Sequence, residues 1–267
     1  MTRRLNLWLL VILFIVGVPY YWYLLDSGPD EMPPKALTIE RLRELAGTIE
    51  GQAPSEVRVE LIGHLDVMRN ALVAGWGLRS VRTAVRSYQL TVPDGKPIVI
   101  DAGTTRTAAR DLGMTGFDEA AQQRVNRAVA RASRVVILLD EALHNGGRKR
   151  RDTGASAAFN PAPYPLAPGV VVIPTEGLGK AARMVYARLE DGREFLFTGP
   201  AAKVGESLRT LAPPARIGTG GESPVYLPES KAWLTTINAL RKAAPHMTVV
   251  TGHDFTQVPY AKRGFSE

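Results

Sequence analysis

VVILLDEALHNGG, running from Val135 to Gly147, is the stretch from which the rest of the chain is read. Its first five residues, Val135-Val136-Ile137-Leu138-Leu139, make the short apolar run of a buried strand. A polar loop follows and closes on the turn Gly146-Gly147. In α/β proteins ligands collect where strands end, so an acidic, histidine-bearing loop at this point is a candidate site.

Upstream, Phe117 to Arg134 has helical spacing, with Phe117, Ala121, Val125 and Val129 on one face. Before it, Arg79 to Val92 is rich in strand formers. Pro93-Asp94-Gly95-Lys96 is a strong turn signal. Pro97 to Asp101 returns as a second strand, so the two form a hairpin ending at Asp101-Ala102-Gly103. Val57 to Leu61 alternates like a half-buried strand. Thr38 to Ala46 carries Ile39, Leu42 and Leu45 at helical spacing. Leu65 to Ala74 fits either a helix or irregular structure. His64, beside Gly63, reads as structural rather than chemical.

Downstream, Arg148 to Arg151 and the Pro/Ala/Ser-rich residues after it read as a long surface loop. Val170 to Ile173 is a short strand ending at Pro174-Thr175-Glu176-Gly177. Ala181 to Leu189 and Glu194 to Phe197 flank the turn Glu190-Asp191-Gly192-Arg193 as a hairpin. Pro228 to Ala244 is an amphipathic helix with Trp233, Ile237 and Leu240 on its apolar side. Met247 to Val250 is the last strand, and Thr251-Gly252-His253-Asp254 follows it.

The N-terminus has its own character. Arg3-Arg4 precede LNLWLLVILFIVGVPYYWYLL, a run long enough to cross a bilayer as a helix. The cluster Tyr20-Tyr21-Trp22-Tyr23 suits a membrane interface. No small-x-small cleavage site follows the apolar run, so the segment reads as an uncleaved signal anchor. Arg3-Arg4 before the span, with Asp26, Asp30 and Glu31 after it, place the N-terminus in the cytoplasm. In a bacterium this gives a single-pass inner (cytoplasmic) membrane protein whose C-terminal domain is periplasmic, or more generally extracytoplasmic. The chain then divides into an anchor (1–25), a linker (26–37) and one domain (38–267).

The chain has 267 residues, no cysteine, four histidines and a formal net charge of +7. The lack of cysteine excludes disulfides and thiolate metal sites. The basic balance favours anionic partners, and it also serves solubility alone. No phosphate-binding glycine loop, no Gly-x-Ser-x-Gly elbow and no nucleic-acid motif is present.

Strand ends of unusual chemistry now stand in a definite order. Ile98-Val99-Ile100-Asp101-Ala102-Gly103 resembles the Asp-x-Gly strand of the metallo-β-lactamase superfamily. Glu141-Ala142-Leu143-His144-Asn145-Gly146-Gly147 resembles the second half of its His-x-His-x-Asp-His loop. Thr175-Glu176-Gly177-Leu178-Gly179 resembles its Gly-His-Thr-x-Gly turn. The Asp191-Gly192 hairpin running to Gly199-Pro200 resembles the strand that ends in Gly-Asp. Val249-Val250-Thr251-Gly252-His253-Asp254 resembles its terminal Gly-His-Asp. The resemblance runs from about Ser87 to Asp254 and implies an α/β fold of the αββα sandwich type.

It also implies where metal ligands would fall. The first two loop histidines fall on Leu139 and Glu141, the loop aspartate on Leu143, and the third histidine on His144. The turn histidine falls on Glu176, the bridging aspartate on Pro200 and the last histidine on His253. Only His144 and His253 keep the family's residue. One zinc would be left with Leu139, Glu141 and Glu176, the other with Leu143, His144 and His253. Neither set reaches the three protein ligands of a catalytic zinc. Without metal, water keeps its ordinary acidity and no hydroxide forms near neutral pH.

The candidate cleft is therefore Asp101, Glu141, His144, Glu176, His253 and Asp254. The leading expectation is a degenerate member of the fold, a pseudoenzyme with no resident cofactor, which binds an unknown protein or anionic ligand. The alternative is a divergent hydrolase holding one zinc or other divalent metal on Glu141, His144, Glu176 and His253. Asp140 and Asp254 would then orient the imidazoles. A third reading is a metal-free hydrolase using His253 with Asp254 or Asp101 as a base pair, for which no nucleophile stands nearby in sequence.

Overall fold

The computed structural model describes residues 2–147, 162–219 and 224–266. The basic run Arg148 to Arg151 lies outside them. We label the N-terminal helix Arg3–Leu25 α1; it is long and apolar enough to cross a membrane, and its apolar stretch is not buried against the protein.

The remaining described residues build two sheets. β1 (Glu56–Met68), β2 (Ser80–Thr91), β3 (Ile98–Ile100), β4 (Arg134–Val136) and β10 (Lys262–Arg263) form the first, in the order β10-β1-β2-β3-β4. β5 (Tyr164–Ala167), β6 (Val170–Pro174), β7 (Arg183–Arg188), β8 (Glu194–Phe197) and β9 (Thr248–Val250) form the second, in that order. Each sheet is an antiparallel meander that gains parallel strands late: β4 beside β3, β10 beside β1, and β9 beside β8.

Alternation along the strands explains why the sheets stack. Val170 and Val172 face the first sheet and pack with Val185, Phe195 and Phe197 against Val57, Tyr88, Leu90, Ile98 and Ile100. The residues between them, Val171 and Ile173, face the other way. With Met184, Tyr186 and Leu196 they pack on α2 (Ile39–Ala46) and on α6 (Tyr226–Ala243). On the outer face of the first sheet, Ile62, Val85 and Val99 meet Val125 and Ala128 of α4 (Glu119–Arg131). Four layers result, helices outside and sheets within: the αββα sandwich that the family resemblance implies. Two shorter helices, α3 (Arg106–Asp111) and α5 (Gly205–Thr210), lie at strand ends.

Local sequence sets the boundaries. Thr38 caps α2 through its hydroxyl, which accepts from the Arg41 amide, and Asp118 caps α4 by accepting from Ala121. The predicted hairpin over residues 79–101 is β2 and β3, paired Tyr88 to Ile100 and Leu90 to Ile98. Two expectations move. β1 continues to Met68, so part of the undecided stretch 65–74 is strand, followed by a 3-10 turn at Arg69–Ala71. The strand expected over 135–139 is paired only to Val136, because its partner β3 ends at Ile100. Ile137, Leu138 and Leu139 stay buried but have left the sheet.

Residues 26–37 run along α6. Lys231 Nζ donates to the Pro29 carbonyl at 2.6 Å, Lys35 pairs with Glu229 at 2.6 Å, and the Lys35 amide donates to Thr236 Oγ1 at 2.8 Å. Leu37 is buried in the outer core.

Candidate functional site

The loop after β4 is held by Asp101, at the end of β3. This residue is buried and adopts φ +60°, a left-handed conformation that costs a side-chain-bearing residue energy. One carboxylate oxygen accepts from the Leu138 amide at 2.8 Å, and the other lies 2.8 Å from His144 Nδ1. The backbone repeats the connection: the Ala102 amide donates to the His144 carbonyl at 2.7 Å, and the Gly146 amide to Gly103 at 2.9 Å. Gly146 needs to be glycine, since it has φ +59° and an added Cβ would stand 2.5 Å from the Ala102 carbonyl oxygen. Gln122 of α4 closes the other side, accepting from the Thr104 amide and donating to the Ala102 carbonyl.

His144 is buried against His253, with ring centroids 5.3 Å apart. The loop carrying His253 is tied across both sheets. Its amide donates to the Lys203 carbonyl at 2.7 Å, and its carbonyl accepts from Ala84 of β2 at 2.8 Å. His253 Nδ1 lies 3.2 Å from the Ala84 carbonyl, and donating to it leaves Nε2 as the acceptor nitrogen of a neutral ring.

The two imidazoles titrate in opposite directions. Burial pushes His144 down, but the charge and hydrogen bond of Asp101, with Glu141 beyond, outweigh it and leave His144 raised. Burial also pushes His253 down, and there the charges of His144 and Lys203 add to it, so His253 is lowered.

In front of His253 lies a cleft of about 230 Å³. Leu139, Leu143, Leu178, Pro200 and Tyr226 make it mostly apolar, while Glu141, Lys203, Thr83 and His253 are its polar wall. Leu139, Glu141, Leu143, Pro200 and His253 thus line one space, although they come from three separate loops. Glu176 is exposed and is not among the residues lining this space; its carbonyl accepts from Trp233 Nε1 at 3.4 Å. Among the described residues, no three His, Asp or Glu side chains stand close enough to hold one ion.

The orienting role expected for Asp140 and Asp254 falls to Asp101 instead. Asp254 Oδ2 accepts from the Gly205 amide and from Thr251 Oγ1, each at 2.7 Å, and so ties the last loop to the start of α5. Asp140 faces Lys180, at 3.5 Å, and Asn145. Lys203 was not singled out by sequence reasoning. Its one signal there is that it is the sole charge in GPAAKVG, residues 199–205.

No protein-family model matches the sequence, and no curated protein matches it. Solved structures do match. An N-acyl homoserine lactone hydrolase, solved with the product N-hexanoyl-L-homoserine at its catalytic metal centre, superposes with a TM-score of 0.61 at 14% identity, over 76% of this chain and 95% of that one. A quorum-quenching N-acyl homoserine lactone hydrolase gives a TM-score of 0.61 at 15% identity, over 77% of this chain and 95% of that one. A probable metal-dependent hydrolase from Staphylococcus aureus gives 0.54 at 8% identity, over 75% and 90%. The chain has the metallo-β-lactamase fold. Of the described residues that line the cleft, Glu141 and His253 carry a carboxylate or an imidazole, and the positions on which the resemblance would place further metal ligands, Leu139, Leu143 and Pro200, offer no donor atom.

Proposed function

We propose that this chain is a membrane-anchored binding or regulatory protein, built on a metallo-β-lactamase fold whose dinuclear zinc centre has been replaced by a ligand cleft. One observation carries the reading: Leu139, Leu143 and Pro200, on which the resemblance would place three of the metal ligands, all line the cleft. They make it a place for apolar matter, and Glu141, Lys203, Thr83 and His253 supply polar contacts at its wall. Such a cleft suits a small ligand with an apolar body and a polar end. In this reading α1 anchors the chain in the inner membrane, residues 26–37 connect it, and residues 38–267 form the extracytoplasmic domain.

A second reading keeps one metal. The closeness of His144 to His253, with Glu141 lining the cleft beside His253, favours it. The exposure of Glu176 stands against the four-ligand form of this site.

Metal content decides between them. The full chain in mild detergent is dialysed against zinc and manganese and analysed by elemental mass spectrometry. The binding reading expects far less than one metal per chain. Near one metal per chain, lost in both His144→Ala and His253→Ala, would overturn it and establish the single-metal site.

A further inference from the structure

The end of α1 does not hang free of the domain. The Arg216 guanidinium lies 3.9 Å from the centre of the Trp22 ring and donates to Asp26 at 2.6 and 2.9 Å. The Gly75 amide donates to the Leu24 carbonyl at 3.0 Å. Gly28 packs so closely on Leu227 that a Cβ there would stand 2.9 Å from it. Three segments of the domain therefore grip residues 22–28: the loop after β1, the 3-10 turn Arg216–Gly218, and the start of α6.

Each of these segments carries one exposed large apolar side chain. Leu78 is 56% exposed, Ile217 49% and Val225 53%. All three stand within three positions of a residue that touches the end of α1. A second arginine–tryptophan contact occurs on the same loop, Arg69 over Trp76 at 5.3 Å, and Arg79 beside it is exposed. Trp and Tyr at the end of a spanning helix sit at headgroup level. Whatever is clamped to Trp22 shares that level. Exposed leucine, isoleucine and valine are disfavoured in water but not at the acyl boundary, and arginines there meet lipid phosphate.

We propose that this face, centred on Leu78, Ile217 and Val225, lies on the bilayer surface, with Arg79 against anionic headgroups. The proposal rests on the reading of α1 as a membrane anchor. It also gives the cleft a place, since Ala71, Leu72, Gly218 and Tyr226 of these same segments form part of the cleft wall.

The chain has no cysteine, so a single introduced one takes a spin label at a unique position. Full-length Leu78→Cys, Ile217→Cys and Val225→Cys are labelled in nanodiscs of phosphatidylcholine with phosphatidylglycerol. Leu112→Cys and Tyr260→Cys, at exposed positions in other segments, serve as references, and Leu10→Cys reports on the anchor. The quantity read is collision with lipid-soluble oxygen relative to a water-soluble nickel complex. The proposal expects a ratio at 78, 217 and 225 at least threefold above that at 112 and 260. Equal ratios, with Leu10→Cys in lipid, overturn the membrane face while leaving the anchor standing. An aqueous Leu10→Cys overturns the anchor reading, and the face with it.

Discussion

Removing the Asp101 carboxylate should unfasten the loop that carries His144. In Asp101→Ala the Leu138 amide and the His144 ring, both buried, each lose a partner now at 2.8 Å. A buried polar group left unpaired costs about 1–3 kcal/mol. Alanine also holds the left-handed backbone of position 101, φ +60°, less readily than aspartate, adding a cost on the order of 1 kcal/mol. With two groups unpaired the sum is about 3–7 kcal/mol, which for a domain of this size lowers the melting temperature by about 6–28 °C. Asp101→Asn refines the test, since its amide oxygen keeps the Leu138 contact while its NH2, a donor, takes the place of the charged oxygen that accepts from His144. His144 is raised in the folded chain. The stability it contributes is complete below the ordinary histidine value, about 6.5, and is lost as pH rises through its folded value. The gap between wild type and Asp101→Asn should therefore be wider at pH 5.5 than at pH 9. Thermal unfolding of the full chain in mild detergent at the two pH values measures it. A gap that does not change with pH, or an Asp101→Ala chain within about 1 kcal/mol of wild type, would refute the reasoning.

Two further outcomes follow from features away from the cleft. Burial raises the Glu194 carboxyl, but the bonds from Arg43, at 2.7 and 2.9 Å, and from Tyr186 bring it below its ordinary value. That stability is present above the ordinary glutamate value and is lost as pH falls through the folded one. Arg43→Ala should move acid unfolding to higher pH and cost about 2 kcal/mol, below the range for a fully buried pair because Arg43 is 41% exposed; unchanged acid unfolding would show the pair to be idle. Gly146→Ala combines φ +59° with a backbone oxygen 2.5 Å from the new Cβ, and a loss of about 2–3 kcal/mol is expected in thermal unfolding. A Gly146→Ala chain as stable as wild type would mean that the loop has another backbone path.

Much of the sandwich is written in local pattern. The turn Pro93 to Lys96, the hairpin around Asp191-Gly192 and the short apolar run Val170 to Ile173 each specify structure over a few residues, and each is found where predicted. The strand at 135–139 is shorter than its apolar run, because burial and pairing are separate conditions. Leu138 is buried, yet its amide goes to a side chain 37 positions away, and nothing in VVILL announces that. The same reason hid the role of Asp101: Asp-Ala-Gly marks a turn, but not which of its neighbours the carboxylate will reach. Motif order brought Glu141 and His253 to one cleft. It did not foresee that Glu176 would be exposed or that Lys203 would line the space, since both depend on how loop backbones bend after leaving the sheets.

The clasp of Arg216 on Trp22 and Asp26 has a consequence for how far the domain can roam. Residues 26–37, fully extended, would span about 40 Å and act as a leash. Bound along α6 by Lys35, Lys231 and the Leu37 anchor point, they have no slack to give. A leashed domain samples a hemisphere of solvent above its tether, whereas a clasped one keeps a single orientation as it diffuses. With α1 in a bilayer, encounters would take place in two dimensions at constant height, and only molecules presented at that height would meet the cleft at high local concentration.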